Sequence, residues 1–336
     1  MPSARALLAL AFLAAAAGSA AGLSVDDVAV RQMVDIAYRQ QYDSAYARAR
    51  ELFGGGAADP AAPFWQAAFI QLLIYDSGDP ALADSFFALS ERTTALCRTR
   101  IRREPRDAEA HFYLGMTQLN RAQFLAWQQH ASSAFKIMLG VPDELRAALA
   151  RDSSLADAWF GLGMIEYLMA KSSKYTLGIG LLGSKKQAYQ MVRRAVARGG
   201  AFRVPARFSL VYMLKEDGDY AGAVSTCRTM LMEYPGNRAL LRILRDVYYK
   251  QGDYQQVVRM GPEIEANIAA SYPKNLYGLS ENWVVTGKAW FRMGQRDSAR
   301  ACFERVLALE SRRGQVPWLS TYLREAREYS ARLSRK

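Results

Sequence analysis

Apolar positions recur at helical spacing through nearly the whole chain. Between Val25 and Phe53, residues Ala37, Tyr38, Tyr42, Ala45 and Ala49 fit one helix, a short break and a second helix. Phe64 to Tyr75 (FWQAAFIQLLIY) is apolar on more than one face, which predicts an interior helix. A longer helical run spans about Ala81 to Arg103. It ends in Arg98, Arg100, Arg102 and Arg103, cations that favour the negative end of a helix dipole. Further helices open at Asp107 (DAEAHFYLGMTQLNRAQFLAW), near Ala131, at Asp157 (DAWFGLGMIEYLMA), at Val204 and after Pro235. Breaks rich in Gly and Pro separate them: Gly54-Gly55-Gly56, Gly78-Asp79-Pro80, Gly140-Val141-Pro142 and Pro235-Gly236-Asn237. Gly261-Pro262 is expected to interrupt a helix, and Ser280 to cap the next. The amphipathic stretch 317–334, with Trp318, Tyr322 and Leu323 on its apolar side, is expected to cap the C-terminal end. No run alternates with the period of a strand. The fold class expected is all-α, with about seven helical pairs.

The pairs share a signature. Trp159, Leu162 and Gly163 stand in one helix. His111, Leu114 and Gly115 take the same spacing in another, with His111 in the aromatic slot. Trp283, Gly287, Ala299 and Phe303 form a third set, and Leu210, Tyr220 and Ala223 a fourth. Gly and Ala let two helix backbones approach closely, and aromatics fill the space between successive pairs. Two Gly-Asp-Tyr turns end at Tyr220 and Tyr254, 34 positions apart. This pattern and period resemble the tetratricopeptide repeat. The resemblance implies a right-handed superhelix, one continuous domain over 22–336. A narrower resemblance covers roughly residues 60–260. There an LG-bearing helix is followed by LARDSSLADAWFGLGMIEYLMA, an apolar insertion, ARGGAFRVPARFSLVYML and YPGN. This is similar to a group of exported bacterial tetratricopeptide proteins and, distantly, to the tetratricopeptide repeat protein 39 family. The resemblance brings no catalytic residues with it.

Between the helices of the Asp157 pair lies an apolar, glycine-bearing insertion at 172–184, where a plain repeat has a tight turn. Gly178, Gly180 and Gly183 match a dinucleotide-binding spacing. That site needs a strand before the glycines and an acid about 20 positions on. The preceding segment is helical, and no acidic residue lies between Gly183 and Glu216. Ser184 also stands where a phosphate loop needs Lys. Two readings of the insertion stay open. Tyr175, Leu177, Ile179, Leu181 and Leu182 either fold back as a plug in the superhelix, or project as an apolar tip collared by Lys171, Lys174, Lys185 and Lys186. The projecting form would contact a partner groove or an anionic membrane surface.

Composition narrows the class. Half of the residues, 51%, are hydrophobic, enough for a large core, and the net charge is +12. The N-terminus (MPSARALLALAFLAAAAGSAAG) has Arg5, an apolar run and small residues suited to cleavage, so residues 1–21 are expected to be a secretory signal peptide. Export argues against a nucleic-acid partner. Three widely spaced cysteines, Cys97, Cys227 and Cys302, leave a disulfide open. The two histidines, His111 and His130, lack metal-ligand spacing, and no cofactor motif is present. The expected function is non-enzymatic: a binding or scaffold protein of the bacterial periplasm or envelope, docking a peptide or protein in the concave face. The alternative is a carrier of a small or lipid-like ligand in an apolar cavity roofed by 172–184.

Overall fold

The computed structural model describes residues 27–54, 56, 58–172, 183–272 and 274–335. The expected signal peptide lies outside them. Seven helical pairs and a terminal helix follow in order: α1 (Asp27–Tyr38) and α2 (Tyr42–Phe53), α3 (Ala61–Ser77) and α4 (Ala83–Arg103), and α5 (Ala108–Trp127) with a broken partner, α6 (Ala131–Met138) and α7 (Val141–Arg151). Then come α8 (Ala156–Ser172) and α9 (Lys185–Arg198), α10 (Arg203–Asp217) and α11 (Tyr220–Glu233), α12 (Arg238–Gln251) and α13 (Tyr254–Ser271), α14 (Leu276–Arg292) and α15 (Arg296–Leu307), and finally α16 (Leu319–Ser334). Among the described residues there is no strand. Each helix packs mainly on its neighbours in sequence, as in a solenoid built by stacking helical pairs.

Local chemistry explains the turns and the close approaches. Gly218 and Gly252 close α10 and α12 in the left-handed region, at φ 85° and 81°. The Asp219 and Asp253 carboxylates then accept from the Gly222 and Gln256 N–H groups and start α11 and α13. Such a cap contributes about 1 kcal/mol. Gly163 marks a close helix crossing. A β-carbon there would lie 2.7 Å from Val192 Cγ2 and 3.0 Å from the Ala188 carbonyl oxygen.

Two sequence expectations fail. Helix α13 runs unbroken through Pro262. The Gly261 carbonyl beside the proline accepts from Asn282 Nδ2 of the next pair at 2.8 Å. Ser280 does not cap α14. Asn275 does, accepting from Gly278 N–H at 2.8 Å, while Ser280 is buried and donates to the Leu276 carbonyl.

The array meets itself. Tyr234 donates to Asp35 of α1 at 2.7 Å, and Asn237 Nδ2 donates to the Tyr38 carbonyl at 2.8 Å. One pair further on, Asn275 Nδ2 donates to the Asp76 carbonyl at 2.7 Å. The Asp76 side chain accepts from Arg238 Nε at 2.8 Å and 3.1 Å, from Arg238 Nη2, from Tyr42 at 3.2 Å and from Gln40 at 3.1 Å. Trp127 of α5 packs edge-on against Tyr277 of α14. Thus α1, α3 and α5 cover parts of α10, α12 and α14. Deeper in, Phe202 at the start of α10 touches Trp65, Phe64, Phe112 and Phe160, with ring centroids 5.0 to 6.2 Å apart. The buried Asp157 carboxylate holds this corner by accepting from the Ala201 and Phe202 N–H groups.

Candidate functional site

The insertion connects the end of α8 to the start of α9. Tyr175, Leu177, Ile179, Leu181, Leu182 and Lys174 lie outside the described residues, and the glycine motif does too, except Gly183. The root on either side is well defined. Lys171 in the last turn of α8 pairs with Glu216 at 2.6 Å, and Lys185 in the first turn of α9 pairs with Asp217 at 2.6 Å. Both carboxylates belong to the last turn of α10, so neighbouring acids of the next repeat hold the two ends. Gly183 has φ 81°, and a β-carbon on it would sit 2.3 Å from the Glu166 carbonyl oxygen. Ser184 N–H then donates to Glu166 Oε1 at 2.8 Å, and Ser184 Oγ accepts from Gln187 N–H to cap α9.

The surroundings are cationic and aromatic. Glu216 faces Lys171, Lys215 at 3.3 Å and Lys250 at 3.8 Å. Burial alone would raise its pKa, but the three ammonium groups hold it below the usual carboxylate range. Tyr167 and Tyr189 donate to Asp217 at 3.2 Å and 3.3 Å. Burial and that carboxylate push both phenols up, so they stay protonated donors. Helix α9 contains no acidic residue. Lys186, Arg193 and Arg194 are exposed on it, with Arg194 stacked 4.2 Å over Trp159 and Arg193 over Tyr189. Of the residues expected at the site, Lys185 is therefore tied into the root, and Lys186 faces outward.

Sequence reasoning missed Glu216, Asp217 and Lys250. The signal was there: Glu216 and Asp217 end an acid-free stretch that begins after Glu166. They looked like the approach to a glycine turn.

The arrangement holds charges and offers few reactive groups. His111 has its Nδ1 2.6 Å from Glu144 Oε2 and its Nε2 3.3 Å from the Pro105 carbonyl, so both ring nitrogens are engaged. Among the described residues no His, Cys, Asp or Glu cluster could hold a metal ion, and no helix is long and apolar enough to cross a membrane. All three cysteines are free thiols. Burial pushes Cys97 and Cys227 up to about 12 and Cys302 to about 11. Two surface hollows, of about 570 and 470 Å3, lie away from the insertion root. Their walls mix charged and apolar side chains.

No protein-family pattern matches the chain, and no curated protein matches it. Among solved structures the chain is similar to PilF of Pseudomonas aeruginosa at 15% identity. That match covers 81% of this chain and 99% of the other, with a TM-score of 0.44. It is also similar to the C-terminal part of a repeat protein from Cytophaga hutchinsonii (14%, covering 88% and 99%, TM-score 0.44). A third is a tetratricopeptide repeat protein from Parabacteroides merdae (12%, covering 89% and 98%, TM-score 0.43).

Proposed function

We propose that this chain is a non-enzymatic docking protein of a bacterial cell envelope, with a protein or peptide as its partner. Export rests on the signal-like N-terminus. The observation that carries the docking surface is the root of the insertion. Lys171–Glu216 and Lys185–Asp217 fix both of its ends to one helix turn, beside Lys186, Arg193 and Arg194 of α9, which are exposed and form no ion pair among the described residues. Parts of the inner faces of α12 and α14 are already covered by the chain's own α3 and α5. The contact surface therefore sits at the edge where α8, α10 and α12 end, and a partner reads the 172–184 segment together with the Lys186, Arg193 and Arg194 face. Acidic groups on that partner would match the charge.

The double substitution Leu181→Asp and Leu182→Asp tests this reading. Crosslinked pull-down from the native envelope fraction should recover a partner with the wild-type chain and lose it with the variant, while the melting temperature stays within a degree or so. A large drop in melting temperature would instead make the segment a plug in the core, because burying two carboxylates is strongly destabilising. Retention of the variant on anionic vesicles, with no protein recovered by either form, would refute the protein partner.

A further inference from the structure

A hollow of about 570 Å3 opens between the end of α2, the first turns of α3 and the middle of α4. That volume is in the range of small-molecule sites. Arg50 of α2 and Arg92 of α4 both line it. Among the described residues neither makes an ion pair or a side-chain hydrogen bond, although most other arginines in the chain are engaged. Gln66 also lines the hollow and is 7% exposed. Its amide has no hydrogen-bond partner among the described residues and is not one of the fully buried unpaired groups, so it keeps contact with solvent. As a wall residue with an unpaired amide, it is available to a ligand's polar group.

The rest of the wall defines the ligand. Asp59 Oδ1 accepts from Ala61 N–H at 2.8 Å beside the start of α3, and Glu51 pairs with Arg48 at 2.8 Å. Pro63 has no N–H, which leaves Ala62 as the free backbone donor at the α3 N-terminus, where anions are favoured. Phe53, Ala62 and Pro63 supply apolar surface. Two unpaired guanidiniums call for an anion with a planar fork, since carboxylates take bidentate bonds from Arg. The nearby Asp59 carboxylate disfavours a compact dianion. We infer that this hollow binds a small organic monocarboxylate with an apolar body and an amide or similar polar group, the carboxylate held by Arg50 and Arg92 and the polar group by Gln66. The site lies apart from the insertion root, so its failure would leave the docking reading untouched.

The probe is N-acetylleucine, which carries a carboxylate, an amide and an apolar side chain. Titration calorimetry with the full chain at low ionic strength should show saturable binding. N-acetylleucine amide, which lacks the charge, should bind at least ten-fold more weakly. Arg50→Ala and Arg92→Ala should each weaken the acid about ten- to a hundred-fold, the size expected for losing a charge-assisted hydrogen bond. The ligand-free melting temperature should not move, because both side chains are exposed and unpaired. Gln66→Leu should weaken acid and amide alike. Lys186→Ala should leave binding unchanged. No saturable binding of the acid up to about 10 mM, a range that covers even weak sites, would overturn the inference. So would equal binding of acid and amide, tighter binding of inorganic phosphate, or full affinity in both arginine variants.

Discussion

Removing the Asp76 carboxylate should open the seam between the two arms of the array. Its side chain is 3% exposed and that of Arg238 6%. In Asp76→Ala the Arg238 guanidinium keeps its bonds to Asn267 at 3.2 Å and Ser271 at 2.6 Å, but loses its counter-charge. Tyr42 and Gln40 each lose an acceptor as well. Leaving a buried charge uncompensated costs about 3–5 kcal/mol. With a urea slope of about 3 kcal/mol/M, the unfolding midpoint should fall by roughly 1–1.7 M. The double variant Asp76→Leu with Arg238→Met should cost less than Asp76→Ala alone, because it buries no orphaned charge. Hydrogen exchange supplies the spatial readout. Protection should fall first in α1, α3, α12 and α14, and α6 to α9 should keep theirs. An Asp76→Ala midpoint within about 0.3 M of wild type, which is about 1 kcal/mol at that slope, would refute this account. So would uniform loss of protection along the chain, since the seam would then not be a separable element.

Gly163→Val should destabilise the α8–α9 crossing by at least about 2 kcal/mol, because its β-carbon would lie 2.7 Å from Val192 and 3.0 Å from the Ala188 backbone; chemical denaturation measures this. Cys97 and Cys227, raised to about 12, should resist a thiol reagent at pH 8 in the folded chain and react fully in denaturant, because only the thiolate attacks. Glu216 has a folded pKa below its unfolded value. It therefore contributes stability above the unfolded carboxylate pKa of about 4.3, and that share is lost as pH falls through the folded value. Glu216→Gln should accordingly flatten the acid limb of the melting-temperature profile, while leaving the shape of the profile above pH 6 unchanged.

Much of this fold can be read along the chain, because its rules are local. Gly218-Asp219-Tyr220 and Gly252-Asp253-Tyr254 carry their turn chemistry within three residues, and Gly163 announces a close crossing by having no side chain. Pro262 misled because a packed helix can tolerate one missing bond: α13 is held between α12 and α14. The seam was hidden for a related reason. Asp76 stands before Gly78-Asp79-Pro80 and looks like turn solvent contact, while Arg238 follows Pro235-Gly236-Asn237 and looks like a surface cation. Nothing in either neighbourhood shows that the two meet across 162 positions. The Glu216 and Asp217 clamp was missed because a pair of acids before a glycine is ordinary in isolation. Only the cations from α8, α9 and α12 give the pair its role.

The seam also sets how many repeats can lie between its two arms. Tyr38 and Asp76 offer the carbonyls, Asn237 and Asn275 the donors, and each bond spans the same 199 positions. Two successive pairs at the start thus mesh with two successive pairs near the end, like teeth at one pitch. Solenoids commonly lengthen or shorten by duplicating or deleting a unit. Here a unit gained or lost between α4 and α11 would carry the Asn237 and Asn275 teeth past their sockets together. Beyond α14, where α15 and α16 lie outside the mesh, growth leaves these bonds untouched. The count between the two arms is therefore a fixed property of the molecule, as in a closed ring.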